Sequence, residues 1–425
     1  MDILILGGGG REHALAWRLA RDESVGRIDI APGNGGTPAV ARTIDDLNPL
    51  DPRAVARHAS RQRYGLVVVG PEAPLAAGVA DALRSASIPV FGPDRAAARL
   101  ESSKAYCKEQ MARANIPTAA ARSFVDPDAA LAHLRTLERP PVVKADWLAA
   151  GKGVVVPETH AEAESAIREL AGSATGGGQL ILEERLEGPE VSAFALVCDQ
   201  AVVPLAAACD YKRLRDGDIG PNTGGMGAYT PVPWFGRREL EEATERIFEP
   251  IAWRMARDGT PYRGVLYAGL MLTAHGPMVL EFNARFGDPE AQVLLPMLDG
   301  DLSQALLGAA IGDIGLMEGS VAQRPGAAVG VVIAAAGYPE APERGAALEG
   351  VEPSGPGDDG DVLVFHAGTR RTSRGWEASG GRVLTVVGRG TEMAAAREAA
   401  YRGVARVALE GGQHRSDIAL REVTT

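Results

Sequence analysis

The first hundred residues alternate short apolar runs with segments of helical periodicity, and this alternation constrains the fold more than any other feature of the sequence. Strands that alternate with helices in this way form right-handed βαβ units, which build a parallel sheet. Ligands of such sheets bind in the crevice at the carboxyl ends of the strands. We therefore predict an N-terminal parallel-sheet domain with a ligand crevice. Its predicted strands lie in "DILIL", "RIDIAPG", "YGLVVVGPE" and "IPVFGP", and its predicted helices lie at about 11–20, 51–62 and 75–85.

The rest of the chain predicts an α+β organisation in several parts. A compact α+β unit follows residue 101 and contains a predicted helix at about 160–171. Long alternating runs then indicate hairpins of a larger antiparallel sheet, on which an amphipathic helix at about 237–257 packs. After a polar stretch at 317–324, further apolar runs and a helix at about 391–409 predict a C-terminal α+β unit. The long alternating runs are "EVSAFALVCDQAVVPLAAACDYKR" and "YRGVLYAGLMLTAHGPMVLEFNARF".

The composition disfavours several classes of protein. A chain of 425 residues is too long for one ordinary core and predicts about two to four domains. Its 44 Lys and Arg against 55 Asp and Glu give a formal charge of −11, which disfavours nucleic acid and acidic membranes as partners. Its three cysteines have no metal-ligand spacing and fit a reducing compartment. The start "MDILILGGGGREHAL" and the lack of an apolar run of about 18 residues predict a soluble cytoplasmic protein.

The stretch "MVLEFNARFGDPE" carries polar residues at every second position of a predicted strand. Residues at i, i+2 and i+4 share one face of a strand, so Glu281, Asn283 and Arg285 would stand in a row about 7 Å apart. A solvated strand face is the common explanation of such a row. Glu and Asn nevertheless offer hard oxygen ligands, and Arg offers a fork for a carboxylate or phosphate. The row could therefore also hold a metal-bound anion.

A glycine-rich segment, "LGGGGREHA", lies between the first predicted strand and helix. Backbone amides there could approach a phosphate, although a plain tight turn is the alternative. The dinucleotide fingerprint needs a third small residue, where this chain has Glu12 or His13, so NAD is not supported and a sugar phosphate suits better. The segments at 32–37 and 70–75 would line the same crevice.

Other charged segments also have two interpretations. Lys144 and Lys152 in "VVKADWLAAGKGV" could contact a triphosphate, although the order of a Walker loop is absent, or they could be solvated lysines of a hairpin. The acids after "LIL", from Glu183 to Glu190, could be plain surface charge. Lys212 and Arg213 precede a glycine-rich turn at 224–227 that could form an amide nest for an anion or a structural loop. No arrangement for a covalent nucleophile can be argued from spacing, and His13 and His366 are assigned to structure.

Taken in order, the motifs make the chain resemble the phosphoribosylamine–glycine ligase family, also called glycinamide ribonucleotide synthetases, within the ATP-grasp carboxylate–amine ligases. The resemblance runs from about residue 1 to 420. It implies an N-terminal Rossmann-like domain at 1–101, an ATP-grasp domain at 102–325 whose B lobe, a lid, covers about 119–186, and a C-terminal α+β domain at 326–425. The motifs are "GGREHALAW", "APGNGGT", "VGPEAPLAAGV", "FGP", "ESSKAYCKEQM", "KADWLAAGKGV", "GPNTGGMGAY", "YAGLM", "EFNARFGDPE" and "FHAGT".

The resemblance also implies a role for each matching position. Glu281 and Asn283 would hold Mg²⁺ or Mn²⁺. The expected catalytic residues are Arg285, Lys144 and Asp288. The expected ATP-binding residues are Lys104, Lys144, Ala149, Gly151, Lys152, Gly153, Glu183, Glu184, Leu186 and Glu190, with Glu183 or Glu184 at the adenine and Glu190 at the ribose. The expected residues for the other substrates are Gly9, Gly10, Arg11, Glu12, Asn34, Gly36, Pro71, Glu72, Lys212, Arg213, Gly224, Gly225, Met226, Gly227 and Arg285.

The reaction that the resemblance implies joins glycine to 5-phosphoribosylamine in de novo purine biosynthesis. Glycine would first be activated as glycyl phosphate by ATP, and the amine would then displace phosphate to give glycinamide ribonucleotide. Such an enzyme would act on small molecules as a cytoplasmic monomer, with transient contacts to neighbouring purine-pathway enzymes as a further expectation.

Four positions depart from the family pattern. Trp147 stands where Gly is expected, Tyr211 where His is usual, Cys209 where Gln is common, and Pro189 where an acid is usual. These changes concern the lid and the substrate side more than the ATP and metal residues. Two other hypotheses therefore stay open: a ligase for a different amino acid or amine, and a nucleotide-binding protein that has lost catalysis.

Overall fold

The N-terminal domain contains the predicted parallel sheet. The computed structural model describes residues 1–147, 153–173 and 178–423. The elements of this domain are β1 (Ile3–Gly7), α1 (Gly10–Leu19), β2 (Ile28–Pro32), β3 (Arg42–Thr43), α2 (Pro52–Gln62), β4 (Leu66–Val69), α3 (Glu72–Ala76), α4 (Val79–Ser85) and β5 (Val90–Phe91). The strand order is β3-β2-β1-β4-β5, and neighbouring strands are parallel. The prediction of a parallel-sheet domain is confirmed.

The helix predicted at about 75–85 is interrupted. The chain forms α3 and then α4, and Gly78 between them has a φ of 87°. This left-handed conformation ends a helical run and is readily adopted by glycine. The prediction of one continuous helix is therefore wrong, although the segment is helical on both sides of Gly78.

A small α+β lobe follows the N-terminal domain. Two helices, α5 (Arg99–Ser102) and α6 (Lys104–Arg113), lead into it. Its elements are β6 (Ala121–Phe124), α7 (Pro127–Leu134), β7 (Val142–Ala145), β8 (Val154–Val155), α8 (His160–Ser173) and β9 (Leu180–Glu183). The strand order is β6-β9-β7-β8, with antiparallel neighbours. The lobe has a hydrophobic core of its own, which includes Phe124, Leu131, Val143, Ile167 and Leu182.

The larger antiparallel sheet continues from the central region into the C-terminal region. The central elements are β10 (Glu190–Asp199), β11 (Ala201–Asp210), β12 (Arg213–Arg215), β13 (Ile219–Asn222), β14 (Gly227–Thr230), α9 (Arg237–Ala243), α10 (Glu249–Arg257), β15 (Tyr262–Thr273), β16 (Gly276–Asn283), α11 (Glu290–Leu294), β17 (Leu298–Gly300), α12 (Leu302–Ile311) and α13 (Ile314–Met317). The last central strand is β18 (Val321–Gln323), which pairs with β17. The C-terminal elements are β19 (Ala327–Ala334), β20 (Ala347–Glu349), β21 (Val362–His366), β22 (Thr369–Thr372), β23 (Gly375–Ala378), β24 (Arg382–Gly390), α14 (Met393–Val404) and β25 (Ala408–Leu409). The order β16-β15-β10-β11-β14-β19-β24-β21 shows that the C-terminal strands extend the central sheet.

Two predicted helices differ in detail from the observed ones. The segment predicted at about 237–257 is helical throughout, but a π-helical turn at Thr244–Phe248 joins α9 to α10. The helix predicted at about 391–409 ends at Val404, because residues 408–409 pair with β20 as β25. Among the described residues, no helix combines the length and the apolar character that a membrane crossing requires.

Candidate active site

A cleft of about 1230 Å³ opens where the parts of the chain meet. The N-terminal domain contributes Gly9, the small lobe contributes Glu184, the central sheet contributes Glu281 and the C-terminal region contributes Arg382. A smaller cavity of about 180 Å³ shares part of the same wall. The residues that line both are Glu72, Lys144, Val154, Leu280, Glu281, Asn283 and Arg285.

The polar row of β16 forms part of this shared wall. Glu281 and Asn283 occupy alternate positions on the strand, and the ladder with β15 passes from Glu281 directly to Val279. This β-bulge leaves Leu280 outside the register. The Leu280 carbonyl accepts a hydrogen bond from Lys144 Nζ at 3.3 Å. The bulge therefore brings a lysine of the small lobe against the row.

The Glu281 carboxylate lies among cations. Although burial opposes its ionisation, Lys212, Lys144 and Lys104 lower the pKa of Glu281. An ionised carboxylate in a largely desolvated wall needs such compensation, because an isolated buried charge is costly. Glu281 is thus an anionic group at neutral pH and a suitable metal ligand.

Asn283 and Glu281 together offer two hard oxygen atoms. Asn283 Oδ1 accepts a hydrogen bond from Arg285 Nη2 at 3.2 Å, while Asn283 Nδ2 is buried without a hydrogen-bond partner in the described residues. Within the same residues, no group of three or more His, Cys, Asp and Glu is placed to hold a metal ion by itself. Mg²⁺ is usually held by one or two carboxylates together with substrate phosphates and water. The donor set therefore fits a metal ion that is shared with a phosphate.

Glu183 joins two lysines. Its Oε1 lies 2.8 Å from Lys144 Nζ, and its Oε2 lies 2.9 Å from Lys108 Nζ. Lys108 Nζ also donates to Thr118 Oγ1 at 2.7 Å, and burial lowers the pKa of Lys108 against the effect of Glu183. Lys108 was not predicted as a site residue, because a lysine on a polar helix usually indicates a solvated face. Its position four residues after Lys104 on α6, one helical turn away, is the available signal.

The second predicted phosphate ligand on this side is Lys104. Its Nζ donates to the Ala145 carbonyl at 3.0 Å, and burial lowers the pKa of Lys104, an effect that Glu281 opposes. Lys104 and Gly153 both line the smaller cavity. Three predicted ATP ligands lie outside the described residues, namely Ala149, Gly151 and Lys152.

The residues predicted for adenine and ribose line the larger cleft. Both carboxylate oxygens of Glu183 face lysines, whereas Glu184 is exposed. Leu186 is half-buried in the same wall. Glu190 pairs with Lys212 across the sheet. Glu184 is therefore the more accessible of the two adjacent acids, whereas Glu183 organises the lysines.

Arg285 is held by two acids of the preceding segments. Its Nη2 lies 2.9 Å from Glu101 Oε1, and its Nε lies 3.6 Å from Glu72 Oε2. Glu101 Oε2 also accepts a hydrogen bond from the Ala284 amide at 2.8 Å. Burial raises the pKa of Glu101, and Arg285 opposes that shift. Glu101 was not predicted as a site residue, although it lies in the "ESSKAYCKEQM" motif.

The N-terminal glycine loop reaches the cleft through Gly9, Arg11 and Glu12. Glu12 accepts hydrogen bonds from the Gly9 amide and from Arg11 Nε, both at 2.6 Å. Arg11 Nη1 donates to the Phe286 carbonyl at 3.0 Å, which ties this loop to the segment after β16. Pro71 also lines the cleft.

Other predicted residues of this region do not line either cavity. Asn34 Nδ2 donates to the carbonyls of Gly8 at 3.0 Å and His366 at 2.8 Å. A Cβ at Gly10 would meet Gln292, and a Cβ at Gly36 would meet His366. Gly10, Asn34 and Gly36 therefore lie where the N-terminal domain contacts the central and C-terminal regions, and their assignment to substrate contact stays a prediction.

The glycine-rich turn at 224–227 does not present a free amide nest. The Gly224 amide donates to Tyr338 Oη at 2.9 Å, the Gly225 amide to Thr223 Oγ1 at 3.0 Å, and the Met226 amide to the Tyr211 carbonyl at 2.7 Å. The nest interpretation is wrong, because these amides already have protein acceptors, and the structural-loop alternative applies. Of the four residues, Gly224 lines the cleft, as do Lys212 and Arg213 before the turn. Met226 and Gly227 are buried, and the backbone of Gly225 packs against Pro289.

Asp210 and Lys212 form a charged pair beside Glu281 that the sequence interpretation found only in part. Burial raises the pKa of Asp210 to about 7 against the effect of Lys212. Although burial opposes its charge, Asp210 and Glu190 raise the pKa of Lys212. Asp210 was not predicted as a site residue, since an acid at the end of a strand is usually solvated.

Asp288 lies between the N-terminal and C-terminal walls of the cleft. Gln292 Nε2 donates to its Oδ1 at 2.7 Å, and Arg382 Nη2 lies 3.3 Å from its Oδ2. Although burial opposes its ionisation, Arg382 and Arg11 lower the pKa of Asp288. The carboxylate is therefore ionised and held by groups from more than one part of the chain.

Two departures from the family pattern have structural partners. Trp147 packs against the core of the small lobe and lines the smaller cavity. Tyr211 is 4% exposed, its ring centre lies 4.7 Å from the guanidinium carbon of Arg415, and its Oη accepts a hydrogen bond from the Ala419 amide at 3.0 Å. Tyr211 thus fills a contact with the C-terminal segment. Cys209 is buried at the cleft, and the Pro189 carbonyl accepts from Leu272.

Family models and known proteins match this chain over nearly its full length. The models described as Phosphoribosylglycinamide synthetase N domain, ATP-grasp (A) domain and C domain match residues 1–101, 102–291 and 328–421. The Phosphoribosylamine–glycine ligase of Streptomyces coelicolor is 46% identical over 421 residues, which cover 99% of each chain. That of Caulobacter vibrioides is 46% identical over 424 residues, which cover 99% of this chain and 98% of the other.

Solved structures agree with these relatives. The crystal structure of Phosphoribosylamine–glycine ligase from Thermotoga maritima is 34% identical, has a TM-score of 0.83 and covers 99% of this chain and 100% of its own. A biotin carboxylase domain from Hydrogenobacter thermophilus, 16% identical with a TM-score of 0.70, covers 97% of this chain and 91% of its own and shares the fold. The resemblance that the sequence motifs indicated is confirmed. The chain belongs to the phosphoribosylamine–glycine ligase family of ATP-grasp enzymes.

Proposed function

We propose that this chain is an ATP-dependent ligase that joins glycine to 5-phosphoribosylamine in de novo purine biosynthesis. The products are glycinamide ribonucleotide, ADP and phosphate. The observation that carries the proposal is that two cavities share the wall that carries the Glu281 carboxylate, the Asn283 amide and Lys144, while Lys104 lines the smaller cavity and the glycine loop of the N-terminal domain lines the larger one. Such an arrangement can hold a nucleotide at one end and a sugar phosphate at the other.

The nucleotide end is formed by the small lobe and β16. Lys104 and Lys144 would face the phosphates, and Glu184, Leu186 and Glu190 would face the nucleoside. The remaining predicted ATP ligands, Ala149, Gly151, Lys152, Gly153 and Glu183, complete the proposed set. Mg²⁺ or Mn²⁺ would be held by Glu281 and Asn283 and would neutralise charge on the terminal phosphates.

The chemistry requires activation of a carboxylate, because a carboxylate is anionic and would have to expel oxide. A glycine carboxylate oxygen forms a bond to the γ-phosphorus of ATP while the bond to the β,γ-bridging oxygen breaks, which gives glycyl phosphate and ADP. The amine of 5-phosphoribosylamine then forms the amide bond to the acyl carbon while the bond from that carbon to the phosphate oxygen breaks. The amine loses one proton in this step.

The protein contributes positioning and charge. Lys104, Lys144 and Arg285 offset the charge that develops on phosphoryl oxygens. Arg285 is suited to this role because Glu101 and Glu72 fix its guanidinium. Asp288 lies close to Gly9 of the glycine loop, so its carboxylate orients the acceptor amine toward the acyl centre.

The acceptor end is formed by loops of the N-terminal domain and by the segment around β12. Arg11, Glu12, Pro71 and Glu72 border it on one side, and Lys212, Arg213 and Gly224 border it on the other. The proposed working form is a cytoplasmic monomer that acts on small molecules, with transient contacts to neighbouring purine-pathway enzymes as a further proposal. Light scattering during gel filtration tests whether the protein is a monomer.

Omission of single reactants tests the proposed function. ADP and phosphate release should require ATP, Mg²⁺ or Mn²⁺, glycine and 5-phosphoribosylamine together, and the product should have the mass of glycinamide ribonucleotide. Assays with each of the other common amino acids, and with other amines, separate this activity from that of a ligase for a different substrate. Turnover that is independent of glycine would overthrow the proposal, and nucleotide binding without any turnover would favour the non-catalytic alternative.

A further inference from the structure

The strand β24 begins at the cleft with Arg382, whose guanidinium joins two segments of the central region. Its Nη1 donates to the carbonyl oxygens of Gly224 and Asp288, both at 2.6 Å. Its Nη2 lies 3.3 Å from Asp288 Oδ2. The side chain is 23% exposed and lines the cleft. A guanidinium is suited to this contact, because its planar fork presents several donors in fixed directions.

The Gly224 peptide is held from both sides by the C-terminal region. Tyr338 Oη accepts a hydrogen bond from the Gly224 amide at 2.9 Å, and Arg382 donates to the Gly224 carbonyl. The next residue, Gly225, has a φ of +111°, and a Cβ there would overlap Pro289. The backbone of this loop therefore packs directly against the segment that carries Asp288, and its position depends on Arg382 and Tyr338.

The Asp288 carboxylate is fixed by the same guanidinium. Gln292 engages one carboxylate oxygen at 2.7 Å, and Arg382 approaches the other. A Cβ at Gly9 would lie 3.3 Å from Asp288 Oδ2, so this oxygen faces the N-terminal glycine loop. The bonds from Arg382 thus set the direction of the carboxylate toward the end of the cleft at which the sugar phosphate is proposed to bind.

We propose that Arg382 is a positioning residue for the acceptor amine: it fixes the Asp288 carboxylate and the Gly224 loop in the arrangement that receives 5-phosphoribosylamine. This inference rests on the proposed function. Arg382 acts through Asp288 and Gly224, so its loss affects the acceptor end of the cleft and leaves the nucleotide end, around Lys104 and Lys144, unchanged. If Arg382 were only a structural link from β24 to Gly224 and Asp288, its loss would lower the stability of the protein and would change both ends of the cleft together.

The test compares Arg382→Met and Arg382→Lys with a matched control. Arg389→Met is the control, because Arg389 lies near the other end of the same strand and also donates to a backbone carbonyl. Its Nε and Nη2 donate to the Gly360 carbonyl at 3.2 and 2.6 Å. The measurements are kcat and the KM values for ATP, glycine and 5-phosphoribosylamine generated from ribose 5-phosphate and ammonia. Mg-ADP affinity by calorimetry and the midpoint of thermal unfolding are measured on the same samples.

We expect Arg382→Met to raise the KM for 5-phosphoribosylamine about 10- to 100-fold, because charge-assisted hydrogen bonds are lost. The KM for ATP and the affinity for Mg-ADP should stay within about 2-fold of wild type. Arg382→Lys should restore part of the loss, and Tyr338→Phe should raise the same KM by a smaller factor. Arg389→Met should match wild type.

Assays of the wild-type enzyme distinguish failure of the proposed function from failure of the positioning role. If wild type does not use 5-phosphoribosylamine, the proposed function fails. If wild type uses it and Arg382→Met has the same KM for this amine, the positioning role is overturned. A parallel rise of all three KM values with a lower unfolding midpoint also overturns it, since that pattern belongs to a structural link.

Discussion

Glu101 and Arg285 form a buried ion pair beside Asn283, with 2.9 Å between Oε1 and Nη2. The second oxygen of Glu101 accepts a hydrogen bond from the Ala284 amide, so one carboxylate fixes both the side chain and the backbone of the segment that follows β16. The Glu101 side chain is only 8% exposed. Removal of one partner from such a pair leaves an uncompensated charge, which costs more than the pair itself contributes.

Substitution of Glu101 by Gln should therefore weaken both stability and catalysis. The amide keeps an acceptor for the Ala284 backbone but leaves the Arg285 charge with Glu72 alone, at the longer distance of 3.6 Å. We expect the free energy of unfolding to fall by about 3 kcal/mol and kcat to fall about 10-fold. Urea denaturation and steady-state assays measure the two effects. Glu109→Gln on α6 is the control, because Glu109 is 62% exposed, and equal behaviour of the two variants would refute the role of Glu101.

The sequence predicted those elements whose signal is local. Alternation along the first hundred residues identified the parallel sheet, and alternation along β16 placed Glu281 and Asn283 on one cavity wall. The bulge at Leu280 was not predictable, because it depends on the register between β15 and β16 rather than on either strand alone. The join between the central and C-terminal strands was missed for a similar reason: β14 and β19 lie about a hundred residues apart in the chain.

The missed site residues have a common physical cause. Lys108 and Glu101 stand in polar stretches of the sequence, and Asp210 stands at the end of a predicted strand. A solvated position is the usual outcome for a charged residue in either place. Their burial arises from tertiary contacts with Glu183, Arg285 and Lys212. The amide nest at Gly224 was predicted wrongly for a different reason. A glycine-rich sequence shows that backbone amides can be accessible, but it does not show whether other protein groups already accept hydrogen bonds from them.

Removal of the Glu281 carboxylate should abolish turnover without loss of the fold. Glu281→Ala deletes one of the two oxygen donors proposed for the metal and leaves neighbouring Val279 and Phe282 in the core. We expect kcat/KM to fall by more than about 100-fold and Mg²⁺ affinity in the presence of ADP to weaken by calorimetry. Glu349→Ala, an exposed glutamate on a strand, is the control. Activity near wild type in Glu281→Ala would exclude Glu281 as a metal ligand.

Lys108 should affect nucleotide binding through Glu183. Lys108→Met removes one of the two lysines that pair with Glu183. The Lys144 ammonium is then drawn more strongly toward Glu183 and away from a phosphate. We expect the KM for ATP to rise about 10- to 100-fold with a smaller change in the KM for glycine. The control is Arg113→Met at the end of the same helix, where the side chain is 47% exposed. An unchanged KM for ATP in Lys108→Met would limit Lys108 to a structural contact.

The pair of buried histidines predicts a loss of stability in acid. His366 N donates to His13 Nδ1 at 2.9 Å. Burial lowers the pKa of His13 to about 3 and that of His366 to about 4. In the unfolded chain both rings take up a proton near pH 6.5. Between about pH 4 and 6.5 the unfolded state therefore binds more protons than the folded state, and the free energy of unfolding rises with pH over this window.

The two rings together should make the free energy of unfolding fall by up to about 2.7 kcal/mol for each pH unit below about 6, on top of contributions from other groups. His13→Asn keeps an acceptor for the His366 amide and removes one titrating ring, so the slope should fall by about 1.4 kcal/mol per pH unit. Urea denaturation at pH 7, 6 and 5 measures the slope. His275→Asn, at an exposed turn, is the control. If the slope of His13→Asn equals that of wild type, the His13 ring does not stay neutral in the folded protein. The burial of His13 where α1 contacts β21 then cannot be the source of the acid sensitivity.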